Sequence, residues 1–323
     1  MSEQITIKQH FAPRFYFKRF AHENSLQTLN LKRGQIIKPQ PYAGVCYAPF
    51  YYAVETGEED EISQEFEAFF KSIEDQFALR YDGIIDSIIN NKQLTFDQLD
   101  SLSWFIACLW LRSPIMRQQL NTLGEQMTRQ MIAAKVTHPD FAKSAIAELA
   151  KENITITEEQ ANKVGAGLMN GDIKVELTNG LHLIMIAKCE QYRKWFLAKN
   201  WRFYIAKSSK QFITSDTPVV EIYDKDNRLF GNHIMQRQHF FALTPNILIE
   251  LTNPLTTGKR VKHSTVNNAQ VEQYNLLRAQ HSKDFCYSHN RSDIEDLLPY
   301  YEGRLTLQQA VRDYLDEQAK LTQ

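Results

Sequence analysis

The 323-residue sequence has little of what marks secreted, zinc-binding or strongly charged proteins. Its four cysteines (Cys46, Cys108, Cys189 and Cys286) are far apart and include no C-x-x-C pair. This spacing argues against a disulfide framework and against a zinc ribbon. The 37 lysines and arginines are balanced by 38 aspartates and glutamates, so no overall field would concentrate a polyanion. A nucleic acid would have to bind a local patch.

Apolar runs of membrane-spanning length do not stand out either. The first residues, MSEQITIK, lack the apolar segment of a signal peptide. The uncharged run at residues 101–111 is far shorter than the ~20 residues that a bilayer requires. We therefore expect a cytoplasmic protein with no membrane partner.

The first half of the sequence is helical in pattern. Apolar residues recur at helical spacing from Ile62 to Ile88 and predict a long amphipathic helix. Threonine-x-x-glutamine capping boxes that begin at Thr95 and Thr157 predict two helix starts. Pro114 cannot donate a backbone hydrogen bond, so it ends or kinks the helix that begins at Thr95. We predict a helical part at residues 59–200.

Short β-runs separated by turns follow from Trp201, and their spacing predicts an antiparallel meander at residues 201–251. Helices are predicted again at residues 265–321. The predicted fold class is α+β, a helical body packed on a mostly antiparallel β-sheet. The aromatic-rich segment at residues 7–20 is expected to dock between them. Because no proline- or glycine-rich linker separates the parts, residues 1–323 are predicted to form a single integrated domain.

Two polar elements have both a structural and a functional interpretation. Ser215 and Asp216 form a polar corner between two β-runs. Such side chains close turns by bonding nearby backbone amides, and Pro218 fixes φ, so a turn explains the corner without a ligand. His10 is either a half-buried structural histidine or a catalytic or metal-binding one.

Three charged residues carry the same ambiguity. Glu67 and Glu74 are seven residues apart, so they lie on one side of the first long helix, beside its phenylalanine stripe. They are either boundary carboxylates or a pair directed into a cleft, where they could bind Mg²⁺ or Mn²⁺ or act as acid and base. Arg112, at the end of a buried helix, needs an anion. An ion pair with Glu67 or Glu74 explains it as well as a substrate clamp does.

Several motifs occur in a fixed order along the chain: His10, Pro13 and Phe15-Tyr16-Phe17, then Glu67 and Glu74, Arg112-Ser113-Pro114, the segments at residues 212–218 and 241–245, and Asn275. In this order they resemble a bacterial family known as domain of unknown function 4238, from about residue 7 to residue 290. The chain departs from that family at Phe17, usually leucine there, and at Ala242, often proline. The resemblance implies that the polar positions form one set, and it implies no activity.

The first hypothesis is a metal-assisted hydrolase of phosphodiesters, nuclease-like and related to defence or toxicity. In it, the carboxylates of Glu67, Glu74 and Asp216 bind Mg²⁺ or Mn²⁺. His10 activates water and Arg112 stabilises charge on the phosphate, with Ser215 completing the catalytic set. Its partner would be a nucleic acid or a nucleotide. Against it, the sequence contains no established nuclease signature.

The second hypothesis is a non-catalytic binding or structural protein. The same polar residues then form a buried network, in which Arg112 pairs with Glu67 or Glu74 and the corner at Ser215 and Asp216 caps a turn. A ligand-binding form of this hypothesis needs a pocket but no activated water.

Overall fold

The computed structural model describes residues 6–55, 62–63, 65–173, 180–207, 209–223, 237–253 and 261–301. The chain divides into two compact units. One consists of Met1–Ile115 and Ile186–Gln323, and the other is Met116–Met185. The single integrated domain expected from the sequence stays a prediction.

The described helices lie mostly within residues 59–200, the range that the sequence predicted to be helical. They are α1 (Arg14–Lys18), α2 (Glu65–Ile89), α3 (Phe96–Leu111), α4 (Pro114–Val136), α5 (Phe141–Lys151), α6 (Glu158–Asn170), α7 (Gly180–Ala187), α8 (Cys189–Ala198), α9 (Asn268–Gln280) and α10 (Arg291–Glu295).

Local signals set several of these helix boundaries. Both predicted capping boxes are present, so α3 begins after Thr95 and α6 after Thr157. Lys188 interrupts the helical residues 180–198, which form α7 and α8. No helix in the described ranges is long and apolar enough to cross a membrane. Of the region predicted to be helical at residues 265–321, residues 302–321 lie outside the described residues.

The strands are β1 (Lys8–His10), β2 (Ser25–Asn30), β3 (Gln35–Pro41), β4 (Tyr47–Pro49), β5 (Val54–Glu55), β6 (Ile62–Ser63), β7 (Asn200–Ala206), β8 (Thr214–Ser215), β9 (Val219–Tyr223), β10 (Arg237–Thr244), β11 (Ile247–Thr252), β12 (Val261–Val266) and β13 (Phe285–Ser288). One sheet has the order β12-β7-β11-β10-β9 and another has the order β3-β2-β13-β8. Strand β12 runs parallel to β7, and the other neighbours are antiparallel. The mostly antiparallel sheet of an α+β fold is confirmed.

The predicted meander was wrong in one respect. Strand β8 does not join β9 in the five-stranded sheet but pairs with β13 in the other sheet, where Ser215 lies opposite Cys286. The chain crosses from one sheet to the other at the corner that follows Ser215. A run of two strand residues gives no local signal for which sheet it joins, because that choice depends on a partner about 70 residues away.

The N-terminal segment lies between helices and strands, as predicted. The Tyr16 hydroxyl donates to the carbonyl of Ala242 on β10 over 2.8 Å and lies 2.6 Å from the Thr214 hydroxyl on β8. On its other side, Phe15 contacts the rings of Phe77 on α2 and Phe105 on α3. The aromatic core of the larger unit therefore fixes β1 and α1 against α2 and α3, where the candidate site lies.

Candidate functional site

A pocket of about 280 Å³, which we call the His10 pocket, is lined by four polar residues proposed from the sequence: His10, Glu67, Glu74 and Arg112. Lys8, Arg14 and Lys71 line it as well, and all three are exposed, so solvent reaches the pocket. Strand β1, α1, α2 and the end of α3 each contribute to it. The folded chain thus brings together residues that are up to about a hundred positions apart.

Arg112 is placed by the way in which α3 ends. Pro114 has no amide hydrogen, and the Ser113 hydroxyl donates to the Trp110 carbonyl over 2.9 Å, which satisfies an acceptor at the helix end. The Arg112 side chain is 1% exposed, and its Nη1 lies 2.6 Å from Oε1 of Glu74. Its guanidinium carbon also lies 4.8 Å from the centre of the Phe70 ring. The ion pair considered in the sequence is therefore formed, and it is formed with Glu74.

The ion pair does not use the whole guanidinium. Nε and Nη2 of Arg112 are buried and have no hydrogen-bond partner among the described residues. Leaving buried donors unpaired costs about 1–3 kcal/mol each, more when the group is charged. Arg112 lines the pocket, and because both nitrogens have almost no exposed area, an anion there would accept their hydrogen bonds only after a neighbouring side chain shifts.

His10 is held as a neutral imidazole. Burial, together with the positive charge of Arg14, lowers the pKa of His10 to about 4. Nε2 of His10 accepts a hydrogen bond from Nε of Arg14 over 3.2 Å. At neutral pH the ring therefore carries a lone pair that can accept a proton.

The carboxylates of Glu67 and Glu74 supply an acid but do not cancel the positive charge of the pocket. Burial raises the pKa of Glu67, while the nearby Arg112 acts in the opposite direction. Four cationic side chains face two carboxylates here, and Glu67 keeps a larger protonated fraction than an exposed glutamate would. The pocket combines a neutral base, a weak acid and a partly unpaired guanidinium.

Ser215 and Asp216 do not line the His10 pocket. The Ser215 hydroxyl donates to the Thr217 carbonyl over 2.9 Å and accepts from the Thr217 amide over 3.1 Å. The Asp216 carboxylate accepts from the consecutive amides of Lys283, Asp284 and Phe285 at 3.1, 2.7 and 3.0 Å. Burial nevertheless raises the pKa of Asp216 to about 6. Both side chains hold the corner where the chain changes sheets.

Two residues of α9 complete this corner. Asn275 accepts from the Ile213 amide over 3.0 Å and donates to the Gln211 carbonyl over 2.8 Å. Nη1 of Arg278 donates to the carbonyls of Thr217 and Pro218 at 3.1 and 2.6 Å. Hydrogen bonds from the side chains of Asn275 and Arg278 to the backbone of residues 211–218 therefore hold the segment that contains the corner.

The predicted metal set is not assembled. No group of three or more His, Cys, Asp or Glu side chains in the described ranges is placed to hold a metal ion. Asp216 lies in the wall of a different cavity from Glu67 and Glu74. Its carboxylate is already used by three amides, which explains why it cannot be counted with the other two.

Sequence reasoning overlooked three basic residues of the pocket. Lys71 lies four residues after Glu67 and three before Glu74, so helical spacing places all three on one face of α2. Arg14 follows His10 by four residues across a short turn into α1. Lys8 is two residues before His10, on the same face of β1. The sequence shows each of these spacings, but only the packing of α1 and β1 against α2 places the three side chains in one pocket.

The model of one family, described as a protein of unknown function (DUF4238), matches residues 8–292. The chain belongs to this family. The resemblance inferred from the sequence motifs is confirmed, and the match to the DUF4238 family includes every residue of the His10 pocket from Lys8 to Arg112. No curated protein and no solved structure gave a significant match.

Proposed function

We propose that this protein is a hydrolase that binds a phosphodiester in the His10 pocket. The proposal depends above all on Arg112, which is 1% exposed, keeps Nε and Nη2 unpaired within the described chain, and lines an open pocket. A planar guanidinium with two adjacent free donors matches two oxygens of a phosphate. The exposed cations Lys8, Arg14 and Lys71 would attract the same anion.

The neighbouring groups can supply acid and base. Nε2 of His10 takes a proton from a water molecule, whose oxygen attacks phosphorus. The phosphorus–oxygen ester bond breaks, and the leaving oxygen takes a proton from Glu67. Arg112 stabilises the charge that develops on the phosphate oxygens. His10 then returns its proton to solvent and Glu67 takes one up.

Arg14 has a specific part in these reaction steps. Its hydrogen bond to Nε2 of His10 occupies the lone pair that the base needs. Because Arg14 is exposed, a bound phosphate can draw its guanidinium away from the ring. Substrate binding would then free His10 and add a second phosphate contact in one movement.

Glu67 and Glu74 leave a place for a divalent cation in the mechanism. Mg²⁺ is often held by one or two carboxylates together with substrate phosphates and waters. Glu74 is already paired with Arg112, and a cation on Glu67 would keep it deprotonated, so a metal-dependent reaction would need another acid. Activity should therefore be measured with Mg²⁺, with Mn²⁺ and with a chelator.

A second candidate, a non-catalytic phosphate-binding protein, is favoured by the Arg112–Glu74 ion pair and by the structural use of Ser215 and Asp216. It needs the same pocket but no proton transfer. Both candidates predict phosphate binding in the His10 pocket, and only the hydrolase predicts turnover.

Hydrolysis of bis(4-nitrophenyl) phosphate and of a 5′-labelled single-stranded DNA, each with Mg²⁺, Mn²⁺ or a chelator, tests the proposal. We expect turnover that His10→Gln lowers by about 10²–10⁴-fold, the usual contribution of a positioned base. The melting temperature should stay within a few degrees. His22→Gln, a histidine outside the pocket, should keep full activity. Absence of turnover in every condition, or full activity in His10→Gln, would overturn the hydrolase, and phosphate binding alone would establish the second candidate.

A further inference from the structure

A second and larger cavity, of about 420 Å³, adjoins the candidate site and has no role in the steps above. We call it the Tyr47 pocket. Five aromatic side chains line it: Phe11, Tyr47, Tyr51, Phe285 and Tyr287. Its volume falls within the range of roughly 300–1,000 Å³ found for small-molecule sites. Asp216, Lys283 and Asp284 line it too, so its wall mixes aromatic and charged groups, whereas the wall of the His10 pocket is mainly charged.

The two pockets share no lining residue, and one pair of rings links their walls. Tyr47 on β4 lies opposite His10 on β1, and the ring centres are 5.5 Å apart. Lys8 Nζ lies 5.0 Å from the centre of the Tyr47 ring. Tyr47 therefore contacts two residues of the His10 pocket while it lines the larger cavity. A ligand whose anionic end lies at His10 has its adjacent group at Tyr47.

The larger cavity also offers polar groups beside its rings. Gln40 and Thr28 line it, together with the tyrosines. The Gln40 amide nitrogen donates to the Lys38 carbonyl over 2.7 Å, which leaves the side-chain oxygen able to accept another hydrogen bond. Flat rings together with a few hydrogen-bonding groups suit a planar heteroaromatic ring, whose faces stack and whose edge carries donors and acceptors.

We propose that the Tyr47 pocket is a nucleobase subsite, so that the ligand is a nucleotidyl group with its base in this pocket and its phosphate in the His10 pocket. The inference rests on the proposed phosphate site and specifies its substrate class. An inorganic phosphate or a sugar phosphate would fill only the charged pocket. The half-buried ring of Tyr47 is the stacking residue.

Binding can be measured by titration calorimetry in the presence of a chelator, with AMP, ribose 5-phosphate and a single-stranded tetranucleotide as ligands. AMP should bind more tightly than ribose 5-phosphate by about 5- to 150-fold, the range that stacking on an aromatic ring gives. Tyr47→Leu should remove most of this ratio and leave ribose 5-phosphate binding unchanged. Tyr47→Phe should retain it. Tyr42→Leu, a tyrosine five positions earlier that lines neither pocket, is the control.

The results separate the two proposals. Equal affinities for AMP and ribose 5-phosphate would overturn the base subsite and leave the phosphate site standing. Binding of neither ligand would overturn the phosphate site itself. Tight AMP binding with no turnover of the phosphodiester substrates would support the subsite and the non-catalytic candidate. Tighter binding of the tetranucleotide than of AMP would assign the nucleotidyl group to a nucleic acid, and equal binding would assign it to a free nucleotide.

Discussion

Arg14 donates a hydrogen bond from Nε to Nε2 of His10, four residues earlier in the chain, over 3.2 Å. The acceptor nitrogen cannot carry a proton while this bond exists, so neutral His10 has its proton on Nδ1. The cation that lowers the pKa of His10 thereby also fixes its tautomer. This relationship links the charge of the pocket to the state of its candidate base.

The pH dependence of stability should report the lowered pKa of His10. Its pKa is about 4 in the folded protein and 6.5 in the ordinary imidazole. As pH falls from 6.5 towards 4, the unfolded chain takes up the proton and the folded chain does not, so stability present above pH 6.5 is lost through this window. Urea unfolding between pH 7.5 and 4.5 should show a larger loss for wild type than for His10→Gln.

Removing the neighbouring charge should move that pKa in a known direction. Arg14→Gln takes away the positive charge and the Nε donor, so the pKa of His10 should rise. Nuclear magnetic resonance titration of the His10 ring protons measures this directly. Since Arg14 is exposed, the melting temperature should change little. An unchanged His10 pKa would contradict the role given to Arg14.

The Arg112–Glu74 pair should respond unequally to loss of either partner. Glu74→Gln leaves a guanidinium that is 1% exposed without its counter-charge, which should cost about 3 kcal/mol of unfolding free energy. Arg112→Met should cost less, because Glu74 is 24% exposed and water can solvate it. Denaturant titration gives both values. Asp75→Asn, an exposed carboxylate next to Glu74, should be neutral.

Inorganic phosphate adds a second readout for this pair. Without the Glu74 carboxylate the pocket is more cationic, so phosphate should raise the melting temperature of Glu74→Gln by more than it raises that of wild type. In Arg112→Met, phosphate should have little effect. Equal shifts in all three proteins would mean that phosphate binds elsewhere.

Asp216→Asn should destabilise the corner between the sheets. An asparagine side chain turns one acceptor into a donor that faces backbone amides, so at least one of three hydrogen bonds is lost, at a cost of about 2–3 kcal/mol. The folded pKa of Asp216, about 6, is above the ordinary 3.8, so the folded state takes up the proton first. Wild type should therefore gain stability relative to the variant as pH falls from 6 to 3.8. Exposed Asp86→Asn is the control for the urea measurements.

Asn275→Ala should unpair two buried backbone groups, the Ile213 amide and the Gln211 carbonyl. We expect a loss of about 2–4 kcal/mol, measured by chemical unfolding. Gln273→Ala, at an exposed position of the same helix, should leave stability unchanged. Binding of phosphate by the folded Asn275→Ala variant should persist, because Asn275 does not line the His10 pocket.

The local elements follow from the sequence alone. Apolar periodicity predicted α2, the capping boxes predicted the starts of α3 and α6, and Pro114 predicted the end of α3 beside Arg112. These signals depend on residues within a few turns of one another, so they can be read without a fold. The sequence also selected His10, Glu67, Glu74 and Arg112 by their chemistry.

Tertiary packing sets which of those residues meet. It placed Arg112 on Glu74, added Arg14 and Lys71 to the pocket, and assigned Asp216 to the corner between two sheets. Sequence patterns miss these contacts because they join residues far apart in the chain. The amides that bind the Asp216 carboxylate, for example, are about 70 residues away. Such contacts depend on how packed elements exclude water from their shared core, which no local pattern records.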